Sequence, residues 1–204
     1  MAKMKREIKV VAIDFSGVYF TWNQERHIDA LSAATSSPRE LVVKSFGKDL
    51  RELNLGKITD KQYWDSFCRN IGKNVSHKKL DRITQAQFKP IKTVMRLIAK
   101  LRRRHKIVLF TNQSLMLDRL NEKHGFYKNF DLVINSSKVG MRKPDREMFA
   151  HLLTETGAKP FEVLFIDDYA PNIEAAKKLG LNAILFTGYS DLVGEIKKAG
   201  ISLD

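Results

Sequence analysis

Five short runs stand out along the 204-residue chain because nearly every position in them is apolar: "IKVVAID" (8–14), "KIVLFT" (106–111), "DLVIN" (131–135), "EVLFID" (162–167) and "NAILF" (182–186). A strand with one wet face alternates apolar and polar residues, whereas near-continuous runs belong to strands buried on both faces of a parallel sheet. Between the last four runs the spacing changes to that of amphipathic helices. Pro144 is expected to open the helix in "KPDREMFAHLLTETG", and Gly180 to close the one in "PNIEAAKKLG". Strand and helix in alternation predict an α/β fold with a doubly wound, Rossmann-like parallel sheet as its core.

The first gap does not follow this rhythm. Residues 20–105 contain no convincing strand but several helix starts. "SPRE" at Ser37–Glu40 and "TDKQ" at Thr59–Gln62 read as capping boxes, and Ser76 is placed to cap a third helix. The expectation is a core of residues 1–19 and 89–204 with a helical subdomain inserted at 20–88. "KPIKTVMRLIAKL" then returns the chain to the core.

Composition narrows the setting. Apolar residues make up 43% of the chain, enough for a sizeable core. The opening "MAKMKREIKV" lacks the apolar stretch of a signal peptide, and no window is long enough to span a bilayer. Cys68 is the only cysteine, so an intrachain disulfide framework is excluded. A reducing cytoplasm, no membrane partner, and a monomer or homodimer are expected. Charge is the unusual feature: 36 basic against 23 acidic residues, net +13. The tract from Lys78 to Lys106 is dense in Lys and Arg with Asp81 its one acid. Val94, Leu97, Ile98 and Leu101 fall on one helical face there, leaving Arg96, Lys100, Arg103 and Arg104 to water. The tract is read as a solvated face that attracts anions, with a nucleic acid or other polyanion as the rival reading.

In open α/β sheets ligands bind beyond the carboxyl ends of the strands. Those ends carry Asp14, then Thr111 and Asn112, then Lys143 in "KVGMRKP", then Asp167 and Asp168. The stretches "VVAIDFSGV", "VLFTN", "GMRKPDREMF" and "FIDDYAPNIEAA" resemble, in order, the four motifs of the haloacid dehalogenase superfamily. The insertion is similar to that family's cap. The variant is most similar to the branch with bacterial α-glucose-1-phosphate phosphatase and the phosphatase domain of soluble epoxide hydrolase.

The resemblance implies a hydrolase acting on a small phosphorylated metabolite, such as a sugar phosphate, with Mg2+ as cofactor. It makes Asp14 the nucleophile that forms an aspartyl phosphate. Asp14, the backbone carbonyl of Ser16 and Asp168 are the implied metal ligands. Lys143 neutralises charge, Thr111 and Asn112 hold phosphate together with the free N–H groups of "NQSLMLDRL", and Asp167 and Asn172 support them. A hard cation suits three crowded carboxylates and a phosphate dianion, which otherwise repel one another. Trp22, His27 and Trp64, in the insertion, are expected to pack rather than to touch substrate.

Ser16 departs from the usual motif, which has an aspartate there to protonate the leaving group. A serine hydroxyl titrates too high for that task, and general acid–base catalysis is worth roughly 10²–10⁴-fold. The substrate is therefore expected to carry a good leaving group or its own acid. Two rivals remain open: a metal-independent 2-haloacid dehalogenase, opposed by the Asp167–Asp168 pair, and a non-catalytic module binding a polyanion or protein through residues 78–106.

Overall fold

In the computed structural model, residues 7–203 are described; residues 1–6, on which the reading of the basic opening partly rests, and residue 204 lie outside them. The strands are β1 (Val10–Ile13), β2 (Lys106–Thr111), β3 (Leu132–Asn135), β4 (Val163–Asp167) and β5 (Asn182–Leu185). They form one parallel sheet in the order β3-β2-β1-β4-β5. The helices are α1 (Gln24–Thr35), α2 (Arg39–Lys48), α3 (Leu50–Asn54), α4 (Asp60–Ile71) and α5 (His77–Ala86), then α6 (Lys92–Leu101), α7 (Met116–His124), α8 (Ser136–Val139), α9 (Arg146–Thr156), α10 (Ala170–Lys178) and α11 (Tyr189–Lys198).

The period of two in a strand explains why these runs are apolar throughout. Val11 and Ile13, Ile107 and Leu109, and Leu164 and Ile166 enter one buried cluster with α6, α7 and α11. Their neighbours Val10, Ala12, Val108, Phe110, Val163 and Phe165 enter the opposite cluster with α9 and α10. Both faces are covered, so the sheet is doubly wound as expected. Each fully buried aliphatic side chain contributes roughly 1.5–3 kcal/mol. Helix α6 buries Val94, Leu97, Ile98 and Leu101 and leaves Lys92, Arg96 and Lys100 exposed. No helix among the described residues is long and apolar enough to cross a membrane.

Helices α1 to α5 hold a third cluster of their own, built on Ile28, Leu31, Val42, Tyr63, Phe67 and Leu80. Thr59 and Gln62 form the expected capping box at α4. Helix α5 starts after Ser76, whose side chain makes no capping bond. The box expected at Ser37–Glu40 does not form. There Ser36 ends α1 in the left-handed region at φ 50°, the Ser37 N–H bonds to the Ser32 carbonyl, and Pro38 takes the N-cap of α2. Pro144 does not open α9 either; Asp145 is its N-cap and the helix begins at Arg146.

Ion pairs and a close backbone approach join helices α1 to α5 to the rest of the chain. Arg119 of α7 pairs with Asp60 of α4 at 3.0 Å and with Asp81 of α5 at 3.6 Å. Gly56, at φ +69°, lies so close to α8 that a Cβ there would stand 2.2 Å from the Ser137 carbonyl oxygen.

Candidate active site

Register puts the acidic residues side by side. Ile13 is level with Leu109 and with Ile166, so the next residues, Asp14, Phe110 and Asp167, share one level at the carboxyl edge. The Asp14 N–H donates to the Ile166 carbonyl at 2.9 Å, which carries the pairing one step past the strand. Beyond Asp14 the chain doubles back: the N–H groups of Tyr19 and Phe20 both donate to the Phe15 carbonyl, and the Phe15 and Phe20 rings stack at 4.7 Å. Gly17 makes this turn at φ +80°. A Cβ there would stand 2.0 Å from Asp168 Oδ2, so only glycine admits the second carboxylate of the pair.

Lys143 arrives from the loop between α8 and α9 and is 1% exposed. Its Nζ donates to Asp14 Oδ1 at 2.9 Å, to Asp167 Oδ2 at 2.6 Å and to the Phe110 carbonyl at 2.8 Å. The rings of Phe110 and Phe165 lie 5.4 and 5.2 Å from the ammonium. Asn172 Nδ2 donates to both oxygens of Asp167, and the Tyr169 N–H donates to one of them. Asp167 is thus fixed on both sides.

Asp14, Asp167 and Asp168 present carboxylate oxygens within 4.8 Å of one another. Burial raises the Asp14 pKa above the ordinary range; Lys143 opposes this, and the charges of Asp167 and Asp168 add to it. Asp168 is raised as well, by burial and then by Asp167. Burial pulls Lys143 down, but its two carboxylate partners outweigh it and hold it charged. Three acids against one ammonium leave excess negative charge in a largely buried site. Oxygen-only donors in that arrangement fit Mg2+, a hard cation that takes one or two carboxylates and keeps open positions.

Thr111, the last residue of β2, is fully buried, and its Oγ1 has no hydrogen-bond partner among the described residues. The Asn112 side chain engages the backbone of Lys143. Its Nδ2 donates to the Lys143 carbonyl at 2.8 Å and its Oδ1 accepts the Lys143 N–H at 2.9 Å. The side chain therefore positions the lysine loop. The N–H groups of "NQSLMLDRL" are not all free: that of Gln113 donates to Ser136 Oγ, and that of Met116 to Ser114 Oγ. Gln113 escaped the sequence reading although it directly follows Asn112. Its Nε2 donates to Ser16 Oγ at 2.8 Å. A cavity of about 190 Å³ opens from Ser16, Asn112 and Gln113 toward the insertion.

Trp22 and Trp64 both pack and line this cavity. Trp22 stacks on Phe88 at 4.7 Å, and Trp64 Nε1 donates to Asp81 at 2.8 Å. His27 only packs. Thr84 Oγ1 gives its hydrogen to the Leu80 carbonyl, so it accepts from His27 Nε2, and Nδ1 is left buried with no partner among the described residues. Burial pushes the His27 pKa down from 6.5 to about 4. The unfolded chain therefore binds a proton at a higher pH than the folded one, and stability falls as pH drops from 6.5 toward 4. Between pH 7.5 and 4.5 this residue should cost about 2–3 kcal/mol. Urea unfolding at the two pH values should show that loss shrinking in His27→Leu; an unchanged loss would mean the imidazole is not held neutral.

A parallel sheet that sets three carboxylates and a buried lysine at its carboxyl edge is the frame of a Rossmann-like hydrolase. The model of the haloacid dehalogenase-like hydrolases matches residues 8–180, and the chain belongs to that family. It is 26% identical to sesquiterpene phosphatase astK of Aspergillus oryzae over 88% of this chain and 90% of that protein. It is 24% identical to bifunctional epoxide hydrolase 2 of Rattus norvegicus over 94% of this chain, which spans 38% of that longer protein. Among solved structures, the HAD family enzyme bt-2542 of Bacteroides thetaiotaomicron, in complex with magnesium and inorganic phosphate, superposes with TM-score 0.80. It is 25% identical over 91% of this chain and 98% of that one. The L-2-haloacid dehalogenase of Xanthobacter autotrophicus shares the fold at TM-score 0.66 and 20% identity, over 96% of this chain and 84% of that one.

Proposed function

We propose that the chain is a Mg2+-dependent phosphatase that cleaves a small phosphate monoester with a good leaving group through an aspartyl phosphate on Asp14. The observation that carries this reading is the ammonium of Lys143 held between Asp14 and Asp167, with Asp168 alongside. The structural neighbour with magnesium and phosphate supports it. The paired aspartates favour it over metal-independent dehalogenation.

Mg2+ held by Asp14, the Ser16 carbonyl and Asp168 would supply the positive charge that lets a phosphate dianion approach the carboxylates. Asp14 uses its free oxygen to attack phosphorus in line, and the bond from phosphorus to the leaving oxygen breaks. Lys143 keeps the Asp14 carboxylate ionised and aimed, and offsets equatorial charge as it develops. The unpartnered Thr111 hydroxyl donates to a phosphate oxygen. Asn112 holds the Lys143 loop, while Asp167, locked by Asn172, fixes the ammonium. Water then hydrolyses the acyl phosphate and frees Asp14. Ser16 offers no titratable proton, so esters of acidic alcohols are favoured. We place the specificity surface on the inner side of a cap formed by residues 20–88, and the reaction in the cytoplasm, in a monomer or homodimer.

Hydrolysis of p-nitrophenyl phosphate should need Mg2+, fall to background in excess EDTA and return when Mg2+ is restored. Undiminished turnover in the chelator would overturn the metal assignment.

A further inference from the structure

We infer that the cavity between insertion and sheet selects phosphate esters whose alcohol is a compact, uncharged, apolar body, preferably aromatic. This deepens the phosphatase reading and rests on it. The floor of the cavity is Ser16, Asn112 and Gln113, which follow the nucleophile and Thr111 in the chain, so an ester with its phosphate beside Asp14 directs its alcohol here. The walls are dominated by Trp22, Phe46, Leu50, Trp64, Phe88 and Met116. Trp22 and Phe88 already stack, and Trp64 meets the Tyr63 ring edge-on at 4.9 Å, so flat aromatic faces border the space. An apolar cavity of roughly 150 Å³ accepts benzene, and the about 190 Å³ found here admits one ring with its linker.

Charge sharpens the choice. Among the described residues lining the cavity there is no lysine or arginine. The two carboxylates in its wall, Asp60 and Asp81, are satisfied from behind by Arg119, and Asp81 also by Trp64. A second phosphate or a carboxylate on the substrate would find two acids and no cation to offset its charge. Sugar hydroxyls would meet mostly aromatic and aliphatic carbon, with Gln24, Asn54 and Gln113 the amides within the lining, and leaving water costs free energy wherever a hydrogen bond is not replaced. The sugar-phosphate body implied by the family resemblance is thus a poor match to these walls.

The test matches leaving groups so that only the body differs. Benzyl phosphate and glycerol 3-phosphate both release primary alkoxides; with Mg2+ present, kcat/KM for benzyl phosphate should be higher by about tenfold or more, and fructose 1,6-bisphosphate should fall below both. Leu50→Lys, which puts a cation into the wall, should lower the benzyl-to-glycerol ratio. Binding is read separately through Trp22 and Trp64, the only two tryptophans of the chain. Benzyl phosphonate should quench their fluorescence at concentrations where glycerol phosphonate does not. Selective quenching without turnover of any ester would keep the cavity assignment and overturn the phosphatase reading. Turnover with no preference for the benzyl ester, or quenching equal for the two phosphonates, would overturn the cavity assignment and leave the phosphatase reading standing.

Discussion

Asp14→Asn should lower kcat for p-nitrophenyl phosphate by about 10⁴-fold or more, because an amide oxygen is not an anionic nucleophile. The fold should not suffer. Asparagine keeps the size of the side chain and an oxygen that can accept from Lys143, as Asp14 Oδ1 does at 2.9 Å. Burial and the neighbouring acids already disfavour the charged form of Asp14. Removing that charge relieves repulsion from Asp167 and Asp168, so thermal unfolding should occur at the same temperature or higher. In the wild-type protein, fluoroberyllate with Mg2+ should leave an acyl-phosphate mimic that crystallography finds on Asp14. A variant that is folded and retains near wild-type turnover would rule out covalent catalysis by this residue.

The five strands and both ends of their acidic edge were legible in the chain because a strand buried on two faces leaves an unbroken apolar run. Asp14 and Asp167 simply follow such runs. Thr59 and Gln62 were legible because a capping box is local. Ser37 obeyed the same pattern and failed, since the termination of α1 at Ser36 had already claimed its backbone. The start of α1 was overlooked because Asn23 caps alone: its Oδ1 takes the Arg26 N–H, with no acid or amide three residues on. What no spacing could show is pairing across long separations. Asn112 meets Lys143, 31 positions away, and Gln113 meets Ser16, 97 positions away. The aromatic cavity is of this kind too, since most of its walls come from residues 22–88 and its floor from the loops that follow β1 and β2.

Lys143→Met should be the second severe lesion, and its signature lies in stability as much as in rate. Methionine fills much of the lysine's volume between the Phe110 and Phe165 rings but leaves Asp14, Asp167 and the Phe110 carbonyl without their shared donor. Breaking a buried ion pair by removing one partner costs about 3–5 kcal/mol. Under the proposed mechanism turnover should fall by about 10³-fold or more, since the charge developing on the equatorial phosphoryl oxygens loses its cation. The stability loss should be largest at pH 8 in EDTA, where both abandoned carboxylates must stay ionised or bind protons against the bulk pH. It should shrink toward pH 6, because protonating Asp14 removes the repulsion; its pKa, now without the ammonium that lowered it, rises further. The sign follows from linkage: the folded variant binds more protons than the unfolded chain, so its stability grows as pH falls. Asp14→Asn combined with Lys143→Met should recover part of the loss at pH 8, because one of the two uncompensated charges is gone. Urea unfolding of the wild type, both single variants and the double variant at pH 8 and pH 6 measures all of this. Equal stability of Lys143→Met and wild type at pH 8 would mean that the lysine does not compensate the buried acids, and the electrostatic account of the site would fall with it.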